Sequence, residues 1–139
     1  MANETRNVEI LKEIYKNWAA TKGGSVDDWL KICGDNIDFG SLAQGAAPKV
    51  QYMTDYSSRD ALRDYFAGLT RDWEMIEYVA DEFVAQGDRV VMLGRCSWRF
   101  KKTGKVVSTP KVDVWMMANS KAIAFFEYYD TAQVHAATA

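Results

Sequence analysis

Apolar residues recur three and four apart from Glu4 to Lys22, at Val8, Leu11, Ile14, Tyr15 and Trp18. This spacing predicts an amphipathic helix, which Gly23-Gly24 ends. Ser25 stands where it can cap a second, short helix with Val26, Trp29, Leu30 and Cys33 on its inner face. Gly34-Asp35-Asn36 breaks that helix, and Ile37 to Leu42 reads as a short strand. Ala43 to Tyr56 is a long loop carrying Gly45, Pro48, Tyr52 and Tyr56; it reads equally as a pocket wall or as a plain surface connection. A third helix begins at a cap supplied by Ser57 or Ser58, with the stripe Leu62, Tyr65, Phe66, Leu69 and Trp73.

After Trp73 the period shortens to two. Glu74–Ala85 and Arg89–Phe100 read as strands joined at Gln86-Gly87-Asp88, and Lys101–Lys105 turns the chain into two further apolar runs. Those runs flank the polar break Ala118-Asn119-Ser120-Lys121, a hairpin signal. The tail Thr131–Ala139 is small and polar and is expected to be mobile. Helix, helix, strand, helix and then four antiparallel strands make an α+β fold, a curved antiparallel sheet with the three helices on one face. Residues 1–139 are expected to form one domain, without repeat or linker.

The register of the last hairpin decides the chemistry, because a one-residue slip sends every side chain to the opposite face. A three-residue loop, Asn119–Lys121, pairs Ala118 with Ala122 and sets Asp113 directly opposite Glu127. A two-residue loop shifts the register by one and puts the two acids on opposite faces. With a bulge at Thr103-Gly104, Arg95 faces Asp113, and one face carries Val91, Leu93, Arg95, Ser97, Lys111, Asp113, Trp115, Ile123, Phe125, Glu127 and Tyr129. The other face then carries Val90, Met92, Cys96, Trp98, Val112, Val114, Met116, Phe126 and Tyr128. A sheet apolar on both faces needs cover on both. The helices cover one, and a homodimer through the outer face is the expected cover for the other.

Composition narrows the function classes. The formal net charge is −2 and the basic residues are scattered, which argues against nucleic acid or an anionic membrane as partner. No apolar run approaches the roughly 20 residues of a membrane span. The polar start Met1–Arg6 lacks a signal-peptide core, so a cytoplasmic location is expected. Cys33 and Cys96 form no CxxC pair and stand in apolar contexts, the setting of buried free thiols. The single histidine, His135, lies in the tail, so neither a His-based metal site nor a Ser-His triad is expected. No metal and no cofactor are assigned.

The element order, with Ser58-Arg59-Asp60-Ala61-Leu62, Ala85-Gln86-Gly87-Asp88-Arg89-Val90 and Phe126-Glu127-Tyr128-Tyr129-Asp130, resembles the nuclear transport factor 2-like superfamily. Within it the chain is most similar to the branch of SnoaL-type polyketide cyclases, ketosteroid isomerases and limonene epoxide hydrolase. The resemblance covers nearly the whole chain. It implies a cone-shaped sheet wrapped on three helices, an apolar pocket in the cone and, commonly, a dimer through the outer sheet face. It also implies roles for single positions. Asp113 falls where ketosteroid isomerases keep a protonated aspartic acid in the oxyanion hole. Ser41 falls near their general base and cannot replace it, and their oxyanion tyrosine falls near Asn17, beside Tyr15 and Trp18. Glu127 matches the acid–base aspartate of the cyclases. Glu127 and Arg95 match two members of the epoxide hydrolase Asp-Arg-Asp set, whose third member is Ser97 here. No relative's set is complete in this chain.

Two carboxylates side by side in an apolar pocket do not both ionise easily. One can then serve as acid and the other as base, which suits proton transfer next to a carbonyl, dehydration or aldol-type cyclisation without a metal. Asp113, Glu127 and Arg95 are the candidate catalytic residues. Tyr15, Trp18, Ser41, Tyr52, Trp115, Phe125 and Tyr129 are the candidate contacts to an apolar small molecule. The alternative is a satisfied ion network in which Arg95 or Lys111 pairs with the acids, inside a binding module or a protein adaptor. Asp130, at the end of the last strand, is assigned a hydrogen-bonding role.

Overall fold

The computed structural model describes residues 2–43, 52 and 54–139. Along the chain lie α1 (Ala2–Ala20), α2 (Val26–Ile32), β1 (Cys33–Ser41), α3 (Leu62–Asp72), β2 (Trp73–Gln86), β3 (Arg89–Phe100), β4 (Val106–Ala118), β5 (Lys121–Tyr128) and α4 (Thr131–Ala137). The strands form one sheet in the order β1-β5-β4-β3-β2. The meander β2–β5 is antiparallel as expected, whereas β1 joins the edge parallel to β5. A parallel edge requires a connection that crosses back over the sheet, and the chain between β1 and β5 carries α3 and the whole meander.

The sheet curls around α1–α3. Two register shifts, near Ile76 and Asp81, interrupt the β2–β3 ladder, and bulges of this kind bend a long strand. At the second shift the backbones come so close that a Cβ on Gly94 would lie 2.1 Å from the Val79 carbonyl oxygen, so only glycine fits there. The helical stripes read from the sequence fill the hollow. Leu11, Ile14 and Trp18 of α1 and Leu62, Phe66 and Leu69 of α3 are buried against the sheet.

Cap chemistry departs from expectation at α2, where Ser25 precedes the helix without a side-chain cap bond and its hydroxyl is buried without a partner. Before α3, Ser58 Oγ accepts from Ala61 N at 3.2 Å, a turn ahead of the helix proper. Asp130 takes the hydrogen-bonding role assigned to it, accepting from Gln133 N at 3.1 Å. It thereby caps a helix where a mobile tail was expected. A seven-residue helix is unstable alone, but α4 buries Val134 and Ala137 and packs on β4. Thr103 Oγ1 also donates to the Ala137 carbonyl at 2.6 Å. Of the long loop read as a pocket wall or a surface connection, residues 44–51 and 53 lie outside the described residues.

The β4–β5 hairpin reaches the expected pairing by another route. Its loop has two residues, Asn119 and Ser120, both at positive φ (50° and 64°), the signature of a type I′ turn. Ala118 pairs with Lys121 and Met117 with Ala122, then Met116 pairs with Ala124, leaving Ile123 as a bulged extra residue. The bulge restores the parity that the short loop removed, and Asp113 faces Glu127.

The β3–β4 register is the main correction. Phe100 N donates to Lys105 O at 2.9 Å and Gly104 N to Phe100 O at 2.8 Å, with Gly104 at positive φ (76°), and from there the ladder runs without a register shift. Met92, not Arg95, therefore stands opposite Asp113, and Arg95 faces Pro110. Val90, Met92, Cys96 and Trp98 turn inward, and Val91, Leu93, Arg95 and Ser97 outward. No helix of the described residues is long and apolar enough to cross a membrane.

Candidate active site

Alternation along β4 puts Lys111, Asp113 and Trp115 on the inner face, and all three are buried. The partner strand adds Phe125 and Glu127. Asp113 and Glu127 are only 2% and 3% exposed, so each charge depends on local partners. Lys111 supplies the central one. Its ammonium hydrogen-bonds Asp113 Oδ1 and lies 3.2 Å from Glu127 Oε1. It also lies over the rings of Phe125 and Tyr129, 5.7 and 5.9 Å from their centroids, close enough for cation–π attraction.

Tyrosines from three elements complete the cluster. Tyr15 of α1 donates to Asp113 Oδ2 at 2.5 Å, and Tyr78 of β2 donates to the same oxygen at 3.3 Å. Trp115 Nε1 donates in turn to Tyr15 Oη at 2.9 Å. Tyr65 of α3 spans both oxygens of Glu127, at 3.2 and 3.3 Å. Ser41, paired with Glu127 across β1–β5, lies 3.0 Å from the Tyr129 hydroxyl.

The cluster forms the polar floor of a cavity of about 100 Å³. Aromatic walls rise from it. Trp29 and Trp115 stack with centroids 5.4 Å apart and planes 9° from parallel. Trp18 meets Trp29 and Phe66 edge-on. Val134 of α4, Cys33 and Cys96 also reach the wall, and both cysteines are free and buried, as expected.

Electrostatics follow from burial. Removal from water raises the Glu127 pKa; Lys111 opposes this and Asp113 adds to it. Burial disfavours the Lys111 ammonium, but Asp113 and Glu127 outweigh it and hold the lysine well above its ordinary value. Tyr15, Tyr65 and Tyr78 are pushed well up by burial and then by the neighbouring carboxylates, so they stay protonated donors. Burial also raises the Cys96 thiol to about 11, which leaves it unreactive at neutral pH.

Of the residues singled out in the sequence, Asp113 and Glu127 come together, and Tyr15, Trp18, Trp115, Phe125 and Tyr129 line the cavity. Ser41 lies behind the wall, 3.0 Å from the Tyr129 hydroxyl. Three of the assigned residues, Ser41, Arg95 and Tyr52, do not line the cavity. Arg95 is on the outer face, 3.0 Å from Asp81 and 4.0 Å from Glu77. Tyr52 packs against the Gly68 backbone outside the cavity lining, where its hydroxyl accepts from Trp73 Nε1 at 3.0 Å. The cation near the acids is Lys111, the branch of the ion-network alternative that needs no register at all, since residues two apart on a strand share a face. Tyr65, Tyr78 and Trp29 were not singled out. Tyr65 and Trp29 sat on helical stripes read as core, and Tyr78 on a strand whose bulges break the alternation that would have placed it. Among the described residues no group of acids, cysteines and histidine is arranged to hold a metal.

A SnoaL-like domain family model matches residues 13–125. The chain belongs to the SnoaL-like domain family. No curated protein matches it. Solved structures agree on the fold. An NTF2-like protein of unknown function from Burkholderia pseudomallei superposes with a TM-score of 0.81 at 19% identity, covering 95% of this chain and 96% of that one. An NTF2-like protein from Burkholderia xenovorans gives 0.80 at 24%, covering 98% of each. A candidate SnoaL-like polyketide cyclase from Jannaschia gives 0.80 at 18%, covering 99% and 94%. In this SnoaL-like chain, the ion cluster stands inside a cone of NTF2-like architecture.

Proposed function

We propose that this SnoaL-like protein is a cofactor-independent acid–base enzyme of the isomerase or cyclase type, acting on an apolar, ring-bearing small molecule. The observation that carries the reading is the facing pair Asp113 and Glu127, buried beneath aromatic walls with one lysine between them. Glu127 is the proton carrier. Burial raises its pKa, which brings a carboxylate toward the range where it both takes and returns a proton efficiently. It removes a proton from carbon next to a substrate carbonyl, the electron pair moves onto oxygen as an enolate, and the proton returns at another carbon. Nothing is oxidised or reduced. Asp113, held by Tyr15, Tyr78 and Lys111, keeps the ammonium beside Glu127 and in reach of the developing negative charge.

A second reading, a binding module, is favoured by the complete set of partners around both acids. Deuterium exchange separates the two. In heavy water, wild type should exchange the α-protons of cyclohexenone faster than buffer does, and Glu127→Gln should lose about 10²–10⁴-fold of that rate. Exchange no faster than buffer, with cyclohexenone bound, leaves the module.

We also propose a homodimer through the outer face, on Val112, Val114, Met116, Phe126 and Tyr128, which the protomer leaves partly exposed. Val90 and Met92, first counted with them, are buried inside. Light scattering should give twice the 15.7 kDa chain mass; a stable monomer refutes the dimer.

A further inference from the structure

The ion cluster also bears on what can enter the cavity. Lys111 is the single cation among the described residues that line it, and its ammonium is engaged by Asp113 and Glu127. An anionic ligand therefore meets no uncommitted positive charge, only two carboxylates, in a setting where an unpaired buried charge is expensive. A cationic ligand fares no better. The place it would take, between the two carboxylates and over the Phe125 and Tyr129 rings, is held by Lys111. Asp113 accepts from Tyr15, Tyr78 and Lys111, and Glu127 from Tyr65, with the Lys111 ammonium 3.2 Å away. The site carries its own cation and its own anions, already matched.

Size is the second limit. The cavity measures about 100 Å³. Pockets for drug-sized ligands run from roughly 300 to 1,000 Å³, and an engineered apolar cavity of about 150 Å³ takes benzene, so a cavity of this order is on the scale of one small ring and not of several. The stacked pair Trp29–Trp115 and the edge-on Trp18 form part of its wall.

We propose that the pocket selects an uncharged, single-ring molecule bearing one carbonyl or hydroxyl, and rejects charged ligands of the same shape and fused polycycles. This rests on the acid–base reading for the use of the site, but selection is tested by binding alone, so it stands or falls without turnover. Titration calorimetry near neutral pH on the wild-type chain, with cyclohexenone, phenol, benzoate, benzylammonium and a four-ring steroid as probes, gives the answer. Cyclohexenone and phenol should bind at least about tenfold more tightly than the other three. Benzoate binding as well as phenol overturns the charge argument for anions, benzylammonium doing so overturns it for cations, and a steroid binding more tightly than phenol overturns the size limit. Lys111→Met supplies an independent reading. With the resident cation gone, benzylammonium should gain about tenfold relative to phenol; an unchanged ratio in the folded variant overturns the matched-charge account. Should that variant fail to fold, the wild-type series alone decides. Selection that holds without proton exchange would retain this inference and discard the enzyme.

Discussion

The sheet carries charge on both faces, and the two sets could hardly differ more. On the outer face Arg95 meets Asp81 and Glu77, and Arg99 meets Glu74 at 2.7 Å, all of them well exposed to solvent. On the inner face Lys111, Asp113 and Glu127 are all under a tenth exposed, and the two carboxylates accept from tyrosines of three elements. The residue types are the same; water makes the difference. It screens the outer pairs to a small net value. Inside, desolvation makes every partner indispensable, because removing one strands the others. A charge's value here follows from its strand parity more than from its distance to an opposite charge.

The largest expected effect comes from breaking the inner set at its centre. Lys111→Met keeps the apolar stem and deletes the ammonium, leaving two facing carboxylates with tyrosine donors only. Urea unfolding should show a loss of about 3–5 kcal/mol. Adding Glu127→Gln should recover part of it, since the second change removes one of the stranded charges. A loss below about 1 kcal/mol would place the inner triad in the same class as the outer pairs and end the comparison.

The next effect lies in pH dependence. The folded pKa of Glu127 is raised above the ordinary 4.5, first by burial and then by Asp113. As pH climbs from that unfolded value to the folded one, the unfolded chain releases a proton that the folded chain retains. Stability contributed by the protonated carboxyl is therefore full below the unfolded value and lost as pH rises through the folded one. Melting temperatures of wild type and Glu127→Gln, measured from about pH 4 to 8, should converge or cross as the wild type loses this contribution. Parallel profiles would mean that Glu127 titrates alike in both states.

These contrasts were partly legible in the sequence. The helical stripes and the meander follow from period alone, and the pairing of Asp113 with Glu127 was reached because the I′ turn at Asn119-Ser120 and the bulge at Ile123 cancel. Either change alone would have moved one acid to the other face. No such cancellation helped β3. The stretch between Arg99 and Val106 has no feature that fixes the pairing across it, and the miscount exchanged Arg95 with Met92. Lys111 could have been assigned without any loop count, because its place two residues before Asp113 shares that residue's face wherever the strand pairs. α4 was illegible for another reason: its helicity depends on tertiary burial of Val134 and Ala137, which an alanine-rich tail does not advertise.

The smallest expected effect tests the outer face. Arg95 was the arginine that the sequence placed beside the acids, so its removal discriminates between the two registers. In the structure its side chain is 55% exposed, and those of its partners Asp81 and Glu77 are 45% and 57% exposed. Arg95→Ala should therefore change stability by at most about 1 kcal/mol, and by less at high salt. Affinity for a neutral probe such as phenol should stay at the wild-type value, because no atom of Arg95 lines the cavity. A small stability change at low salt that vanishes at high salt, with probe binding untouched, is the signature of a solvated pair. A loss of several kcal/mol together with weakened probe binding would return Arg95 to the inner face and reverse the β3–β4 register on which the separation of the two charge sets depends.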